Sequence, residues 1–262
     1  MRSRPLDDLK RELEALVQNG YREVVLTGIN LTAYGQDIGL SLCDAVETAC
    51  GVAGLSRVRL GSLEPDMLTP AVIARLATQE KLCPQFHVAL QSGCDETLGR
   101  MRRRYNTAQY REVCENLRAA FPDCALTTDV MVGFAGESEA EFAASRAFVE
   151  EIGFAKVHTF AYSRRDGTPA AKMAAQVTSA EKSRRSRLMI ETADKTAAAY
   201  AASWVGRETT VLAETPQEDG TTVGYTPTYL PTTISALVPA GETVRVKIVR
   251  ADGEQVFAEL LS

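Results

Sequence analysis

The segment Ala125-Leu-Thr-Thr-Asp-Val-Met-Val-Gly-Phe-Ala-Gly-Glu137 decides the fold, because it contains a β-rich run followed at once by a glycine-bearing turn. Residues 139–152 come next and have the spacing of an amphipathic helix. Similar β-rich runs occupy residues 23–28, 57–62, 86–91 and 156–162, with helical segments between them. Strands that alternate with helices predict βα units and a parallel sheet of five strands.

Polar and glycine residues collect where these predicted strands end. They are Thr27-Gly28-Ile29-Asn30, Gly61-Ser62-Leu63-Glu64, Gln91-Ser92-Gly93 and the turn from Gly133 to Glu137. Ligands bind at the carboxyl ends of parallel strands in both doubly wound sheets and barrels. Four consecutive polar ends favour part of a barrel, whereas a doubly wound sheet concentrates such groups at one switch point. We therefore expect a small-molecule site encircled by loops.

The pattern changes after the first 178 residues. A long helical stretch over residues 179–204 is followed by short alternating runs, at residues 209–214, 229–236, 243–249 and 255–261. Turn signals such as Asp219-Gly220 and Asp252-Gly253 separate these runs. This pattern predicts a small antiparallel barrel or sandwich, with the boundary at residues 204–208.

Composition excludes several classes of protein. The 262 residues carry a formal net charge of −5 and are 45% hydrophobic, which is ordinary for a soluble globular chain. No apolar run is long enough for a membrane span, so we expect a cytoplasmic protein without a membrane partner. The six cysteines show no C-x-x-C spacing, and no metal site is predicted from them. Dinucleotide-fold and P-loop fingerprints are also absent.

Local basic clusters and aromatic residues suit an RNA contact surface within this acidic chain. Solvated helix faces are the alternative interpretation for any one cluster. The predicted RNA-binding residues are Arg102, Arg103, Arg104, Arg184, Arg185, Tyr225 and Tyr229.

Six stretches, in order along the whole chain, resemble the radical-SAM tRNA methylthiotransferases. They are 3–9 (SRPLDDL), 25–30 (VLTGIN), 59–65 (RLGSLEP), 89–95 (ALQSGCD), 127–137 (TTDVMVGFAGE) and 160–173 (FAYSRRDGTPAAKM). The stretch LGSLEP is most similar to the branch that acts on threonylcarbamoyladenosine. The tail resembles the TRAM domain, a small RNA-binding β-barrel.

The resemblance implies a reaction. A four-iron four-sulfur cluster, held by three cysteines of a C-x3-C-x2-C loop, reductively cleaves S-adenosylmethionine (SAM) with electrons from a donor. The resulting radical takes a hydrogen from a hypermodified adenosine next to the tRNA anticodon, and a methylthio group is installed at C2. The resemblance thus implies SAM, iron–sulfur clusters, tRNA and an electron donor as cofactors and partners.

The resemblance also assigns site residues by motif position. Those implied to bind the cofactor are Thr27, Gly28, Asn30, Glu64, Gln91, Ser92, Asp129 and Gly133. The backbone around Thr27-Gly28 is implied to meet the methionine amino group, and Gln91 and Ser92 the ribose or the carboxylate. Asp129 and the Gly133 turn are implied to lie near the nucleoside. No catalytic residue is singled out.

The main departure from the family is the missing cluster loop, which should stand just before Arg2-Ser-Arg-Pro. No C-x3-C-x2-C occurs anywhere in the sequence. We therefore expect a fragment whose cluster cysteines lie upstream of Met1 and which alone does not support the reaction. The expected organisation is a partial radical-SAM barrel of five remaining parallel strands (1–178), a linker helix (179–204) and a TRAM-like barrel (205–262). The alternative function is a non-catalytic RNA-binding module on the same scaffold.

Overall fold

The computed structural model describes residues 2–261, which form an α/β region followed by a small all-β barrel. The α/β region contains α1 (Leu6–Gln18), β1 (Glu23–Leu26), α2 (Leu42–Cys50), β2 (Arg57–Leu60), β3 (Ser62–Leu63), α3 (Pro70–Leu76), β4 (Gln85–Val88), α4 (Asp95–Arg100), α5 (Thr107–Ala120), β5 (Ala125–Val132), α6 (Glu139–Ile152) and β6 (Lys156–Ala161). The long helix α7 (Ser179–Ala202) then leads to β7 (Glu208–Pro216), β8 (Thr222–Tyr225), β9 (Pro231–Ile234), β10 (Thr243–Asp252) and β11 (Gln255–Leu260).

All strands of the α/β region pair in parallel and follow one another in chain order. β1 pairs with β2, and β3, β4, β5 and β6 form a four-stranded sheet. The predicted strand 57–62 is divided into β2 and β3 at Gly61, whose amide donates to the Leu26 carbonyl at 2.8 Å. Backbone hydrogen bonds from Val58 to Lys81 and from Cys83 to Val58, each 2.8 Å, connect β2 to the segment before β4. Because β4, β5 and β6 are parallel neighbours, their carboxyl ends lie side by side.

Helix boundaries in this region follow from local sequence chemistry. α5 and α6 begin at capping boxes, in which Asn106 pairs with Gln109 and Ser138 with Glu141. α6 ends at Gly153, whose φ of +66° is the left-handed conformation that glycine adopts without strain. One apolar core lies between the parallel strands and helices α1–α6, with Phe86, Tyr110 and Phe142 among its largest buried side chains.

The outer edge of β1 has no strand beside it within the described chain. Val25 is 53% exposed and Ile29 is fully exposed on this side of the sheet. A groove of about 1020 Å³ runs along this edge, between β1 and the apolar face of α1. Such an edge leaves backbone donors and acceptors unpaired.

The C-terminal strands close into a barrel in the order β10-β11-β9-β8-β7, which decides between the predicted barrel and sandwich. Four of its pairings are antiparallel, but β9 and β11 pair in parallel, so the barrel is not wholly antiparallel as predicted. The sequence pattern did not predict β8. Gly224 of that strand permits close packing, because a Cβ there would lie 2.2 Å from the Leu212 carbonyl oxygen. Trp204 at the end of α7 packs into the barrel's core.

Among the described residues, no helix is long and apolar enough to cross a bilayer.

Candidate functional site

A cavity of about 240 Å³ opens where β4, β5 and β6 end, and two of the four predicted polar strand ends, at Gln91 and after Gly133, meet there. Its walls include Gln91 after β4, Met131 on β5, Phe134 and Tyr162, with Arg102 and Arg103 from the segment after α4. Aromatic and thioether groups line one part of the cavity, and guanidinium groups line another. This combination can hold a planar ring together with an anionic group.

Two residues of this cavity have left-handed backbones, although neither is glycine. The φ angles are +66° at Gln91 and +58° at Arg102. The Gln91 backbone N–H donates to the Asp129 backbone carbonyl, and the Gln91 backbone carbonyl accepts from the Met131 N–H, both at 2.8 Å. Strand β5 therefore fixes the Gln91 backbone conformation. Left-handed non-glycine residues cost about 1–2 kcal/mol each and often occur at ligand sites.

Tyr162 supplies a hydroxyl that requires a partner. Its side chain lies against Phe134, with ring centroids 5.1 Å apart, and the residue is 8% exposed. Within residues 2–261 its buried hydroxyl oxygen has no hydrogen-bond partner. An unsatisfied buried hydroxyl costs about 1–3 kcal/mol, and a polar atom of a bound ligand would relieve that cost. Tyr162 is not among the site residues predicted from the sequence, although it directly follows β6 and could have been found as a polar strand end.

Arg102 and Arg103, which line the cavity, differ in their ion-pair partners. Arg103 lies 3.8 Å from the Glu64 carboxylate, which makes it a weak, partly exposed pair. Arg102 is exposed and makes no ion pair within the described range. The guanidinium of neighbouring Arg100 is already paired, because it donates to both carboxylate oxygens of Glu141, at 2.8 and 2.9 Å. Arg102 and Arg103 are therefore the cations here that a ligand carboxylate or phosphate can engage.

Asp129 lies on β5 between two imidazoles. His87 Nε2 is 3.5 Å from Asp129 Oδ2, and His87 Nδ1 is 3.1 Å from the Thr127 hydroxyl. His158 pairs in register with Asp129, and the two imidazole rings have centroids 5.9 Å apart. Hydrogen bonding to His87 holds the pKa of Asp129 below its ordinary value. Asp129 is therefore an ionised acceptor, suited to ribose hydroxyls or an amino group.

The turn after β5 is held by a buried ion pair. The Gly133 amide donates to Glu137 Oε2 at 2.6 Å, and Arg185 of α7 donates to the same oxygen at 2.8 Å. Arg185 is 5% exposed and also donates to Glu181, so its guanidinium charge is neutralised by carboxylates of the protein itself. This corrects its predicted RNA role, because an RNA phosphate cannot reach a buried guanidinium. Arg184 is more exposed but is paired with Glu139 and Glu181.

The remaining predicted cofactor residues lie elsewhere. Thr27, Gly28 and Asn30 line the groove along β1, not the cavity at Gln91. The Asn30 side chain accepts from the Ala33 amide at 3.3 Å, which is a cap for the short turn that follows β1. Ser92 is fully buried, so Gln91 alone of that pair contacts the cavity. The structure thus brings Gln91 and the turn after Gly133 together, with Asp129 on the strand between them.

The described residues do not fit an iron–sulfur cluster. All six cysteines are free and buried. Burial raises the pKa of Cys83 and of Cys124 to about 11, and that of Cys114 to about 12, which disfavours the thiolate that metals require. Cys94, Glu96 and Glu141 come within ligand distance of one another, but Cys94 donates to Glu96 and Glu141 binds Arg100. A single cysteine and two carboxylates are not the three thiolates that such a cluster needs.

The two predicted RNA-binding tyrosines form a stack. The rings of Tyr225 and Tyr229 lie 4.6 Å apart, centroid to centroid, with an interplanar angle of 17°. Tyr229 is 49% exposed. The predicted arginines 102 to 104 line the cavity at Gln91 or the neighbouring cavity of Arg104, with Arg102 and Arg104 exposed and Arg103 partly buried.

The sequence profile of the Radical SAM superfamily matches residues 1–149, and the chain belongs to that superfamily. The chain is similar to the threonylcarbamoyladenosine tRNA methylthiotransferase of Thermotoga maritima, with 36% identity over 97% of this chain and 58% of that protein. It is also similar to the tRNA-2-methylthio-N(6)-dimethylallyladenosine synthase of Thermobifida fusca, with 42% identity over 78% of this chain and 42% of that protein. The chain thus spans 58% of the first of these curated relatives and 42% of the second.

Solved structures support the fold. The coproporphyrinogen III oxidase of Escherichia coli, described as a radical SAM enzyme, superposes with a TM-score of 0.58 over 73% of this chain and 45% of that chain, at 14% identity. Methylornithine synthase superposes with a TM-score of 0.51 over 72% of this chain and 53% of that chain, also at 14% identity. The predicted superfamily is confirmed. Its cofactors are SAM and an iron–sulfur cluster, and the ligands of the cluster are not seen among the described residues.

Proposed function

We propose that this chain is the SAM-binding and RNA-binding portion of a tRNA methylthiotransferase, and that its substrate is threonylcarbamoyladenosine next to the anticodon. The proposal rests on one observation above all, the cavity where β4, β5 and β6 end. Its aromatic wall, two available guanidinium groups and unsatisfied hydroxyl suit the adenine and the carboxylate of SAM. The similarity to methylthiotransferases of both substrate branches supports the reaction class but not the choice of branch.

Within this proposal the chain's own residues bind and orient SAM. Arg103, and with it Arg102, holds the methionine carboxylate, because a guanidinium pairs with a carboxylate bidentately. Phe134 and Met131 pack against the adenine, and the Tyr162 hydroxyl donates to or accepts from one of its polar atoms. Gln91 or Asp129 accepts from the ribose hydroxyls. The cluster would supply the electron that cleaves SAM, and its ligands are not among the residues described.

We propose three parts for the chain: an open radical-SAM barrel (1–178), a linker helix (179–204) and a TRAM-like RNA-binding barrel (205–262). The closed order of β7–β11 supports the third part, and α7 supports the second by packing on β6 and α6 and, at its end, on β10. The tRNA anticodon loop is the proposed partner, in the cytoplasm, together with an electron donor for the cluster.

Deletion of the gene tests the proposal directly. Nucleosides from bulk tRNA of the deletion strain and its parent are compared by liquid chromatography and mass spectrometry. We expect the methylthio form of threonylcarbamoyladenosine to disappear and the unmethylthiolated form to accumulate. Loss of the methylthio form of dimethylallyladenosine instead would assign the other branch. Unchanged methylthio nucleosides would favour the alternative, a non-catalytic RNA-binding module.

A variant of the cavity tests whether it binds SAM. Replacing Arg103 by methionine should weaken SAM binding by about tenfold or more, since a charge-assisted hydrogen bond contributes about 1.5–3 kcal/mol. The matched control is Arg104→Met, whose side chain lines a different cavity. Isothermal titration with SAM measures both. Equal SAM affinity in wild type and Arg103→Met would remove this cavity from the proposal.

A further inference from the structure

Two arginines of strand β2 are buried at the junction with the small barrel. Arg57 is 6% exposed and Arg59 is 2% exposed. The pattern Arg57-Val-Arg-Leu60 places both guanidinium groups on one face of the strand, opposite Val58 and Leu60. Burying an arginine is unfavourable unless its charge is paired and its donors are satisfied. These two side chains must therefore find partners nearby.

The parallel sheet supplies the counter-charge. Glu23 on the neighbouring strand β1 accepts from Arg59 Nε at 2.6 Å and from Arg59 Nη2 at 3.3 Å. Glu23 also accepts from Arg57 at 3.4 Å. One carboxylate thus faces two guanidinium groups.

The remaining donors cross to the small barrel. Arg57 donates to the Tyr225 carbonyl at 2.9 Å and to the Thr210 hydroxyl at 3.0 Å. Arg59 donates to the Thr226 carbonyl at 2.8 Å and to the Pro227 carbonyl at 2.7 Å. These four acceptors belong to strand β7 or to the segment 225–229, which begins with the last residue of β8 and continues into the loop before β9.

The same segment carries the tyrosine stack, and Arg59 completes it. The Arg59 guanidinium carbon lies 4.7 Å from the centroid of the Tyr229 ring, while Tyr225 stacks on Tyr229. Tyr229 has a φ of +65°, a left-handed conformation that a tyrosine keeps only when its surroundings enforce it. Hydrogen bonds from the Tyr229 amide to the Thr226 carbonyl, at 2.9 Å, and from the Leu230 amide to the Thr226 hydroxyl, at 3.0 Å, hold the segment.

We infer that Arg59, assisted by Arg57, is a positioning residue that holds the Tyr225–Tyr229 stack in the arrangement that receives an RNA base. The inference rests on the proposed RNA-binding function. Exposed aromatic rings beside cations are typical platforms for unpaired bases. Because Arg59 is buried, it acts through Tyr229 rather than by contacting phosphate.

The test measures binding of an unmodified anticodon stem-loop RNA to the full chain, by fluorescence anisotropy over a series of salt concentrations. We expect Arg59→Met to weaken binding by about tenfold, comparable to losing one base–aromatic stack. The slope of log affinity against log salt should stay unchanged, because no phosphate contact is removed. The control Arg11→Met, an exposed arginine on α1, should bind like wild type.

A double variant shows whether Arg59 acts through Tyr229. Tyr229→Ala should weaken binding about as much as Arg59→Met, and the combination should be no weaker than Tyr229→Ala alone. Additive losses, or wild-type affinity in Arg59→Met, would overturn the inference. Thermal unfolding establishes that each variant is folded. If Arg59→Met does not fold, Arg59→Lys keeps the charge but loses the fork of donors, and is tested in its place.

A measurement without RNA keeps the two proposals separate. Hydrogen exchange of the Tyr229 and Leu230 amides should accelerate in Arg59→Met, while exchange in β10 and β11 stays as in wild type. Unchanged exchange at both amides would overturn the positioning role. If wild type binds no RNA but these amides lose protection in Arg59→Met, the positioning of the stack stands and the RNA function fails.

Discussion

At the scale of single residues, the ionisation of Asp129 gives the sheet a testable pH dependence. His87 holds the pKa of Asp129 below its ordinary value, so the ionised carboxylate stabilises the folded chain above about pH 4. This contribution is lost as the pH falls through the folded pKa. Because the side chain is 32% exposed, the contribution should not exceed about 1 kcal/mol.

Asp129→Asn therefore lowers the unfolding free energy near pH 5, and its difference from wild type shrinks as the pH falls to about 3. Urea unfolding at several pH values measures this. The matched control is Asp194→Asn, an exposed residue of α7 that forms no ion pair in the part of the chain the structure describes. A difference between Asp129→Asn and wild type that stays constant with pH would contradict the assignment.

The buried cysteines give a second residue-scale prediction. Burial raises the pKa of Cys114 to about 12 and that of Cys83 and of Cys124 to about 11, so their thiolate fractions at pH 8 are very small. Iodoacetamide should leave these three residues unmodified in the folded chain and modify them in urea. Peptide mass spectrometry measures both. Rapid modification of Cys114 in the folded chain would show that the thiol is accessible and ionised.

The sequence predicted the polar residues at the strand ends but not the buried arginines of β2. Gln91 and the glycine turn were predicted because they follow β-rich runs, a signal that is local in sequence. Arg57 and Arg59 alternate with apolar residues, a pattern that predicts a solvated strand face. Their burial depends on acceptors up to 168 positions away, which no local pattern reveals.

At the scale of elements, the turn after β5 depends on a glycine for two separate reasons. Gly133 has a φ of +71°, and a Cβ there would lie 2.5 Å from Lys182 Cγ of α7. Gly153 at the end of α6 has a similar φ of +66° but open space around it. Comparing alanine at the two positions separates backbone strain from steric conflict.

Gly153→Ala should lower the unfolding free energy by about 1 kcal/mol, the cost of a left-handed non-glycine residue. Gly133→Ala should lower it by roughly 1–3 kcal/mol more, because the Cβ must displace the Lys182 side chain, whose Nζ donates to the Tyr162 carbonyl. Thermal and urea unfolding measure these effects. Adding Lys182→Ala to Gly133→Ala should remove most of the excess. Equal effects of the two single variants would mean that the Lys182 side chain accommodates the added Cβ without cost.

Element boundaries were predictable where the chain carries its own stop and start signals. α6 matches the predicted bounds, residues 139–152, because the Ser138 capping box fixes its first turn and Gly153 ends it. β8 was missed, since Thr222–Tyr225 has too few apolar residues to show alternation. Its position is set by pairing with β7 and β9, and the local sequence of a strand does not predict such pairing.

At the scale of the whole molecule, the chain lacks the thiolates of a radical SAM cluster among its described residues. Anaerobic reconstitution with iron and sulfide should therefore yield no stoichiometric four-iron cluster, because three thiolates at a suitable spacing are required. Iron analysis and electron paramagnetic resonance measure this. A stoichiometric cluster that cleaves SAM would show that the buried cysteines can rearrange to bind iron.

The distribution of charge gives the last prediction at this scale. The chain is acidic overall, so the proposed RNA binding must come from local cations, such as Arg102, Arg103 and Arg104 when no SAM carboxylate occupies the first two. If these three residues contact phosphates, replacing them all by alanine should weaken binding of the anticodon stem-loop. It should also reduce the slope of log affinity against log salt by about 2, the value for three contacts with single-stranded RNA.

The control for this triple variant replaces Arg11, Arg75 and Arg111 by alanine, which removes the same charge from residues paired with Asp8, Glu47 and Glu151. If overall charge alone governs binding, both triple variants should lose the same slope. If the segment after α4 contacts the RNA, only the first variant should lose it. Arg59→Met, by contrast, should lose affinity at constant slope, so these measurements distinguish a phosphate contact from a residue that positions an aromatic stack.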